Sequence, residues 1–298
     1  HAAGQCPSFI ADYNMAKIHH YSNTLYPKLE EMTGQPTGWH GCGGIRFALT
    51  KEELDYFYLV QGVSANIGFQ MEIISPEECK KINPFLDTTG VLAGAWTTDD
   101  GHVDPASCCN SLAIAARNLG GTIVRGNRVT GINALPSGEW EVVTEKGNIV
   151  CEHVVNAGGC YAGRIGAWVG VDVPITNLRH QYIVTEPIKE FIERDVEIPV
   201  MRDPYSSAYF RQEQDSGLIG IYERSNTRDA WGPEGQDWNA ENELFDAEYD
   251  PIMPWLDRVM ERMPIFAEYG VMKVVNGAIS HTPDDNPLLG PAPGVRNF

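Results

Sequence analysis

The stretch HVVNAGG at residues 153–159 decides the fold of this chain. Its apolar, β-branched residues run directly into a Gly-Gly pair, and a helix is predicted to begin near Tyr161. A strand, two glycines and a helix in this order are typical of an α/β nucleotide-binding sheet, because the absent side chains let a cofactor approach the carboxyl end of the strand. The stretch therefore predicts an α/β fold with a nucleotide site.

Helix and strand signals alternate along the residues before this stretch. Helix-spaced apolar residues predict a helix within 10–33, and TKEE at 50–53 is a capping box that opens a second helix. Ser75 and Asp104 are each followed by proline, which is the start signal of two further helices. Strands are predicted between and after these helices, at 43–49, 69–74, 122–124, 128–130, 140–144 and 148–151. Such alternation supports the α/β class.

The pattern of the sequence changes after Gly170. The acidic, Trp-containing stretch at 229–242 predicts a long loop, and a helix interrupted by two prolines is predicted over 243–263. Short apolar stretches predict antiparallel strands at 181–184, 208–211, 217–220 and 271–279. We therefore expect a second domain built on an antiparallel sheet, and the fold class is α/β (α+β).

Composition excludes several classes of partner. The 298 residues suggest about two structural units. Lys and Arg number 22 against 40 for Asp and Glu, which gives a formal charge of −18. A surface this negative repels phosphate backbones and anionic lipid, and no apolar stretch reaches the roughly 18 residues that a membrane span needs. We therefore expect no nucleic-acid partner and no membrane partner.

The cysteines indicate a reducing compartment. There are seven, an odd number, and none forms a CxxC pair. Reduced thiols are therefore a better interpretation than a disulfide framework or a structural zinc site. The chain also has no N-x-Ser/Thr sequon. Reduced cysteines and the missing glycosylation signal together favour the bacterial cytoplasm or the mitochondrial matrix.

Motifs of several enzyme classes are absent. No GxGxxG follows a strand, and no Walker loop, HExxH or GxSxG is present. A dinucleotide fingerprint would thus lie upstream of His1, which suggests an internal piece of a longer polypeptide. His40 and Cys42 are spaced as two metal ligands, but no second pair follows at a suitable spacing, so a structural loop is favoured and no metal site is predicted.

Several motifs resemble one family of flavoproteins. VVNAGG at 154–159 looks like the second flavin-contacting strand and turn of the amino-acid-oxidase-like flavoproteins. Further motifs narrow the resemblance to the dimethylglycine dehydrogenase and sarcosine dehydrogenase family, in chain order HAAG at 1–4, DGHVDP at 100–105, HQY at 180–182, YFRQE at 209–213 and VNGAI at 275–279. The resemblance covers essentially the whole chain. It implies an FAD/NAD(P)-binding Rossmann-like domain interleaved with an antiparallel-sheet substrate domain.

The resemblance also implies domain boundaries. The FAD-binding domain would comprise 1–37, 101–172 and 286–298, and the substrate-binding domain 38–100 and 173–285. The family's N-terminal GxGxxG segment and its C-terminal folate-binding half are missing from this sequence. Tetrahydrofolate would therefore bind only through that missing half.

The family's flavin contacts fall on two parts of the sequence. The His of the HAAG segment carries the flavin covalently through its 8α-methyl carbon, which implies that role for His1; a loose terminal His or a tag remnant is the alternative. Small residues after it suit close packing against the flavin ring. The implied cofactor-binding residues are His1, Ala2, Ala3, Gly4, Gln5, Val129, Ala157, Gly158 and Tyr161. Val129 and Tyr161 can equally be core packing.

The family's substrate side falls on two predicted strands. His180 and Tyr209 match a catalytic pair that tunes the substrate amine; a hydrogen-bonded core His and ordinary sheet packing of a Tyr are the alternatives. Arg211 and Arg202 are candidates to bind a substrate carboxylate, because a planar guanidinium grips it with two hydrogen bonds. A surface ion pair is the alternative for each arginine.

The resemblance implies FAD-dependent oxidative demethylation of an N-methylated amino acid such as dimethylglycine or sarcosine. Electrons would pass to an electron-transfer flavoprotein. An amine oxidase of the same fold that uses oxygen is an alternative. A second alternative is a non-catalytic flavoprotein subunit that acts as a scaffold.

Overall fold

The structure, a computed structural model, describes residues 2–224, 227–241 and 243–298. The helices are α1 (Tyr13–Thr33), α2 (Lys51–Ile67), α3 (Pro76–Ile82), α4 (Pro105–Asn118), α5 (Ala162–Ala167), α6 (Lys189–Ile192) and α7 (Met253–Arg262). The strands are β1 (Gln5–Cys6), β2 (Gly44–Ala48), β3 (Met71–Ile74), β4 (Ala93–Thr97), β5 (Gly101–His102), β6 (Val129–Ala134), β7 (Trp140–Thr144), β8 (Ile149–Cys151), β9 (Thr176–Pro187), β10 (Val200–Asp203), β11 (Ala208–Glu213), β12 (Ser216–Ile221), β13 (Arg228–Asp229) and β14 (Val271–His281).

The chain divides into two compact units, each made of segments that are distant in sequence. The first unit comprises the described residues of His1–Gly121, His180–Asn226 and Phe245–Asn276. The second comprises those of Thr122–Arg179, Thr227–Leu244 and Gly277–Phe298.

A mixed sheet forms the centre of the first unit, with strand order β9-β12-β11-β10-β2-β4-β3. The strands from β9 to β10 are antiparallel, β10 and β2 pair in parallel, and β2, β4 and β3 are again antiparallel. One face of this sheet packs on α7 through buried residues that include Phe210, Ile219 and Val259. Burial of this apolar face is the main stabilising contribution to the unit.

The second unit contains a three-stranded antiparallel sheet in the order β6-β7-β8. Trp140 on β7 is buried, and its indole nitrogen donates to the Arg296 carbonyl at 3.1 Å. This bond and the contact of Trp140 with Phe298 attach the end of the chain to the sheet.

The helix starts that the sequence predicts are confirmed. Thr50 and Ser75 each form a capping box with the glutamate three residues later, and Asp104 caps α4 with proline at its first position. These caps supply acceptors for N–H groups that have no partner within the helix. The predicted mixed α/β class is confirmed as well.

Two predicted strands and part of a predicted helix are wrong. Residues 122–124 and 153–157 form no strand; in the second stretch the Val154 N–H donates to the Asn297 carbonyl, and no described strand lies alongside to complete a ladder. The helix predicted over 243–263 is confined to α7, which begins just before Pro254, because proline is tolerated in the first turn of a helix, where its missing N–H has no helical partner.

The two units are bounded differently from the two predicted domains, whose boundaries stay a prediction. Residues 2–37 and 101–121, predicted as parts of the FAD-binding domain, lie in the same unit as the large sheet. The start of the chain pairs with the DGHVDP motif, since Gln5 of β1 is opposite His102 of β5. Which unit contributes which flavin contacts stays a prediction.

Candidate active site

One face of the large sheet carries the predicted substrate-side residues. Tyr209 is opposite Gly220 on β12, and Gly220 is opposite Tyr182 on β9. Because side chains alternate between the faces of a strand, His180, Tyr209 and Arg211 share one face. Phe210 lies on the other face, in the core, as the strand register requires. We call this surface of β9, β12, β11 and β10 the polar face.

Tyr209 owes its position to a glycine. Its ring lies directly over Gly220, where an added Cβ would be 2.0 Å from the ring carbon Cζ. The side chain is buried, and burial raises the pKa of its phenol, so Tyr209 is a neutral hydroxyl at physiological pH.

We predict that Gly220→Ala displaces the Tyr209 ring, because the new methyl group has no room. Overpacking of this kind typically costs about 1–3 kcal/mol of the free energy of unfolding. Chemical denaturation measures that loss. Gly232→Ala is the control, since nothing lies within 4 Å of its Cβ position. Equal stability of the two variants would contradict the assigned packing.

His180 is fixed by a buried carboxylate. Its Nδ1 lies 3.0 Å from Oε2 of Glu223, whose side chain is fully buried. A carboxylate oxygen accepts, so Nδ1 is the donor of this hydrogen bond. The His180 ring also meets Tyr222 edge-on at 5.2 Å, and Tyr222 contacts Tyr209 at 5.4 Å. Tyr222 thus stands between the two predicted catalytic residues.

Sequence reasoning missed Tyr222 and Glu223. Tyr222 follows Gly220 by two residues, so the strand period places it on the polar face and could have identified it. Glu223 lies beyond the end of β12, and no local pattern marks its contact with His180.

Arg211 anchors the start of the described chain. Its Nε donates to the Ala3 carbonyl at 2.8 Å, and its terminal nitrogens contact the Gln212 carbonyl and the Glu213 carboxylate. Gln5 adds a second tie, from its side-chain nitrogen to the Phe210 carbonyl at 3.1 Å. Ala3 also packs against the buried cluster that contains Tyr209. These contacts hold residues 2–5 on the polar face. Binding of a substrate by Arg211 stays a prediction.

Gly4 lets this segment lie close to the DGHVDP motif. Its φ is +75°, and a Cβ there would be 2.1 Å from the Val103 carbonyl oxygen. The Val103 N–H donates to the Gly4 carbonyl at 2.9 Å. Two motifs about 100 residues apart therefore meet. His1, the predicted point of flavin attachment, lies outside the described residues.

Two arginines lie side by side next to Tyr209. Arg202 of β10 is opposite both Tyr209 and Arg46 of β2, and a narrow cleft is lined by Arg46, Arg202, Gln5 and Phe9. Among the described residues, Nε of Arg202 and Oε1 of Gln5 are buried without a hydrogen-bond partner. Burial and the charge of Arg202 lower the pKa of Arg46. A planar cation with an unused donor fits an anionic group such as a carboxylate.

Asp100 of the DGHVDP motif is a buried acid in the same cleft. It accepts the Ser8 N–H at 2.7 Å and the Thr97 hydroxyl, and it is 2% exposed. Burial raises the pKa of this carboxyl from 3.8 to about 6. The folded protein therefore binds this proton more tightly than the unfolded chain does.

We predict a pH-dependent effect of Asp100→Asn. The stability that the raised pKa contributes is full below pH 3.8 and is lost as the pH rises through about 6, a change of ~3 kcal/mol. An amide at this position does not ionise, so the variant should gain stability relative to the wild type between pH 4.5 and 7.5. Denaturant unfolding at both pH values measures this. A difference that does not change with pH would contradict the assignment.

The other predicted flavin contacts lie in the second unit, at a tight turn. The Asn156 side chain accepts the Gly158 N–H at 3.2 Å and donates to the Ala162 carbonyl at 2.9 Å. A Cβ on Gly158 would be 2.5 Å from the terminal methyl carbon of Ile165, which would have to move to admit it. Close approach of a cofactor to this backbone is compatible with the geometry.

Two more predicted flavin contacts, Tyr161 and Val129, belong to the same unit. Tyr161 contacts other residues of that unit, and Val129 is exposed. The hydroxyl of Tyr161 donates to the Asp237 carbonyl at 2.8 Å, and its ring stacks on Trp238 at 5.0 Å. Val129 begins β6 and is 36% exposed. Contact of Val129 and Tyr161 with flavin stays a prediction.

Two known mitochondrial dehydrogenases are similar in sequence to this chain. Over 301 residues it is 37% identical to mitochondrial dimethylglycine dehydrogenase of Homo sapiens, covering 100% of this chain and 35% of that protein. Over 298 residues it is 31% identical to human mitochondrial sarcosine dehydrogenase, covering 97% of this chain and 31% of that protein. The chain thus spans about a third of the length of these relatives.

A solved structure shows the same fold. The crystal structure of L-proline dehydrogenase from P. horikoshii superposes with a TM-score of 0.83 at 24% identity, covering 99% of this chain and 75% of that chain. In the part of the chain that the structure describes, no helix has the length and apolar character to cross a membrane. Residues 1–298 match the family described as FAD dependent oxidoreductase (DAO). The chain therefore belongs to the DAO family of FAD-dependent oxidoreductases.

Proposed function

We propose that this chain forms the substrate-binding and part of the flavin-binding region of an enzyme that oxidatively demethylates a small N-methylated amino acid. The observation that carries the proposal is the attachment of residues 2–5 to the polar face through Arg211 and Gln5. It brings the segment implied to carry the flavin to the strands that bear His180 and Tyr209. The similarity to dimethylglycine and sarcosine dehydrogenases supports these substrates.

The residues present fit an FAD. Gln5, one of the predicted contacts, has a buried Oε1 atom without a hydrogen-bond partner among the described residues, which is an acceptor for an N–H donor of the flavin. We propose that Ala2, Ala3, Gly4, Gln5, Val129, Ala157, Gly158 and Tyr161 contact the cofactor and that His1 is joined to it covalently. FAD, when bound, supplies the two-electron acceptor for the N-methyl carbon.

The buried His180–Glu223 pair removes the proton from the ammonium form of the substrate amine. Only an unprotonated amine has the lone pair that stabilises the iminium product, and a site with little water disfavours its ammonium form. With Nδ1 committed to Glu223, Nε2 of His180 is the atom that accepts the ammonium proton. The ring of Tyr222 lies beside it, and the buried Tyr209 contacts Tyr222 in turn. Water then adds to the iminium carbon, which gives the demethylated amine and formaldehyde.

The carboxylate of the substrate binds Arg202, with Arg46 beside it. Arg202 lies on the polar face, Arg46 is opposite it on the neighbouring strand β2, and the unused Nε of Arg202 is a donor for one carboxylate oxygen. The contact between Arg202 and the substrate carboxylate is the same in the enzyme–substrate complex and in the transition state.

We predict that Arg202→Leu raises KM by about 10–100-fold and changes kcat little. A hydrogen bond between charged groups contributes about 1.5–3 kcal/mol, and a uniform binding contact acts on KM. Steady-state kinetics separate the two parameters. Arg224→Leu is a control, since this exposed arginine bonds Ser207. A large loss of kcat with unchanged KM would contradict this role of Arg202.

Electron-transfer flavoprotein is the proposed acceptor. Tetrahydrofolate would bind a part of the longer protein outside this sequence, and the mitochondrial matrix or a bacterial cytoplasm is the proposed location. An oxidase of the same fold would instead consume oxygen at the rate of demethylation. A scaffold subunit would be colourless as the full-length protein.

Formaldehyde release by the full-length protein tests the proposal. The substrates to compare are dimethylglycine, sarcosine and dimethylethylamine, which has the amine and lacks the carboxylate. We expect formaldehyde from at least one amino acid and far less from the simple amine. Equal turnover of the simple amine would contradict the carboxylate site, and no formaldehyde from any of them would contradict demethylation.

A further inference from the structure

A second cluster of side chains lies apart from the proposed chemistry, in the first unit. His40, His102 and Glu197 come together from three segments of the chain. His40 Nδ1 lies 2.8 Å from one oxygen of Glu197, and His102 Nε2 lies 2.6 Å from the other. The two imidazole rings are stacked, with centroids 4.6 Å apart and planes 14° from parallel. Each oxygen of one carboxylate thus contacts a ring nitrogen of one of two stacked imidazoles.

Backbone contacts hold the two histidines at this spacing. The His40 N–H donates to the His102 carbonyl at 2.8 Å, and the His102 N–H donates to the His40 carbonyl at 3.1 Å. His102 is 5% exposed, whereas the side chain of His40 is 53% exposed. The cluster therefore has a fixed inner ligand and an outer ligand that can adjust towards solvent.

The donor set is one that zinc uses in proteins. Two imidazole nitrogens and one carboxylate leave the fourth position of a tetrahedral site to water. The three ligand atoms lie within 4.8 Å of one another, so a shift of about 1 Å brings them to the ~2.0–2.2 Å that zinc requires.

We propose that His40, His102 and Glu197 bind a divalent transition-metal ion of the zinc class. The metal takes the place of the two N–H protons that now face Glu197, and each imidazole carries its proton on its other ring nitrogen. The dication exceeds the single negative charge of Glu197, and the exposed side of the cluster at His40 lets solvent offset the remaining positive charge. Arg211, the nearby cation, is itself paired with Glu213 at 2.5 Å.

The position of the cluster assigns the metal a structural role. His102 belongs to β5, which pairs with Gln5 and Cys6 of β1. A metal on His102 would tie this strand pair to Glu197, in the segment that leads into β10. Metal binding should therefore stabilise the attachment of residues 2–6.

Zinc titration of the full-length holoprotein tests the proposal. The protein is freed of metal by dialysis against a chelator, and Zn²⁺ alone is added in competition with a chromogenic chelator. We expect one zinc per chain at this site and a higher melting temperature with zinc than without. His40→Ala and Glu197→Gln should each weaken binding by at least about 10-fold, since even the loss of a group that merely orients a ligand costs this much.

His281→Ala is the matched control, because this histidine also lies near a carboxylate, 3.9 Å from Asp285, but is not part of the cluster. It should leave zinc affinity unchanged. Both test variants retain the buried His102, so a failure to fold is not expected of them. Zinc affinity that is unaffected by His40→Ala and Glu197→Gln, or no zinc bound by the wild type, would overturn the proposal.

Discussion

Replacing His180 by alanine should slow flavin reduction by about 10²–10⁴-fold, the usual contribution of general acid–base assistance. The variant removes the atom Nε2 that we propose accepts the proton of the substrate amine. It also leaves the Glu223 carboxylate buried beside an empty space. Anaerobic stopped-flow kinetics, normalised to bound flavin, measure the rate of reduction separately from folding.

The pH profile distinguishes a catalytic His180 from a structural one. Loss of a proton acceptor should be partly recovered at high pH, where the amine is unprotonated without help. A structural histidine would lower stability and leave the rate per flavin nearly unchanged. Glu223→Gln keeps the shape of the pair, and its amide can donate to the imidazole, so it should shift the pH profile with a smaller loss of rate. An unchanged reduction rate of His180→Ala at every pH would contradict the catalytic role.

Replacing His1 by alanine should convert an acid-stable flavin into one that acid releases. The proposed bond joins this histidine to the 8α carbon, and no other group then holds the cofactor covalently. Precipitation with acid should leave the wild-type pellet yellow and the variant pellet colourless, with FAD in the supernatant. His153→Ala, an exposed histidine in the second unit, should behave like the wild type. Flavin released by acid from the wild type would contradict covalent attachment.

Local signals predicted the parts of the fold whose interactions are local. A cap such as Thr50 with Glu53 involves residues three apart, so the start of α2 follows from the sequence alone. Strand parity likewise predicts that Tyr209 and Phe210 face opposite sides of β11. The strand predicted over 153–157 fails because a strand depends on a neighbour that no local pattern supplies.

In the candidate site too, the sequence predicts the residues that lie within local motifs and misses the contacts between distant residues. The sequence named His180, Tyr209 and Arg211, since each lies within a motif. It missed Glu223, whose contact with His180 spans 43 residues, and the anchoring of Ala3 by Arg211, which spans 208 residues. Likewise, the contact of His40 with His102 and Glu197 joins residues that are distant in sequence, so the local spacing of His40 and Cys42 could not indicate it.

Anaerobic mixing of the full-length holoprotein with an N-methylated amino acid tests the central claim most directly. The account predicts that dimethylglycine or sarcosine bleaches the flavin absorption band in a single turnover and that formaldehyde appears in proportion to the flavin reduced. Flavin that dithionite reduces, but that stays oxidised with every N-methylated amino acid tested, would contradict it.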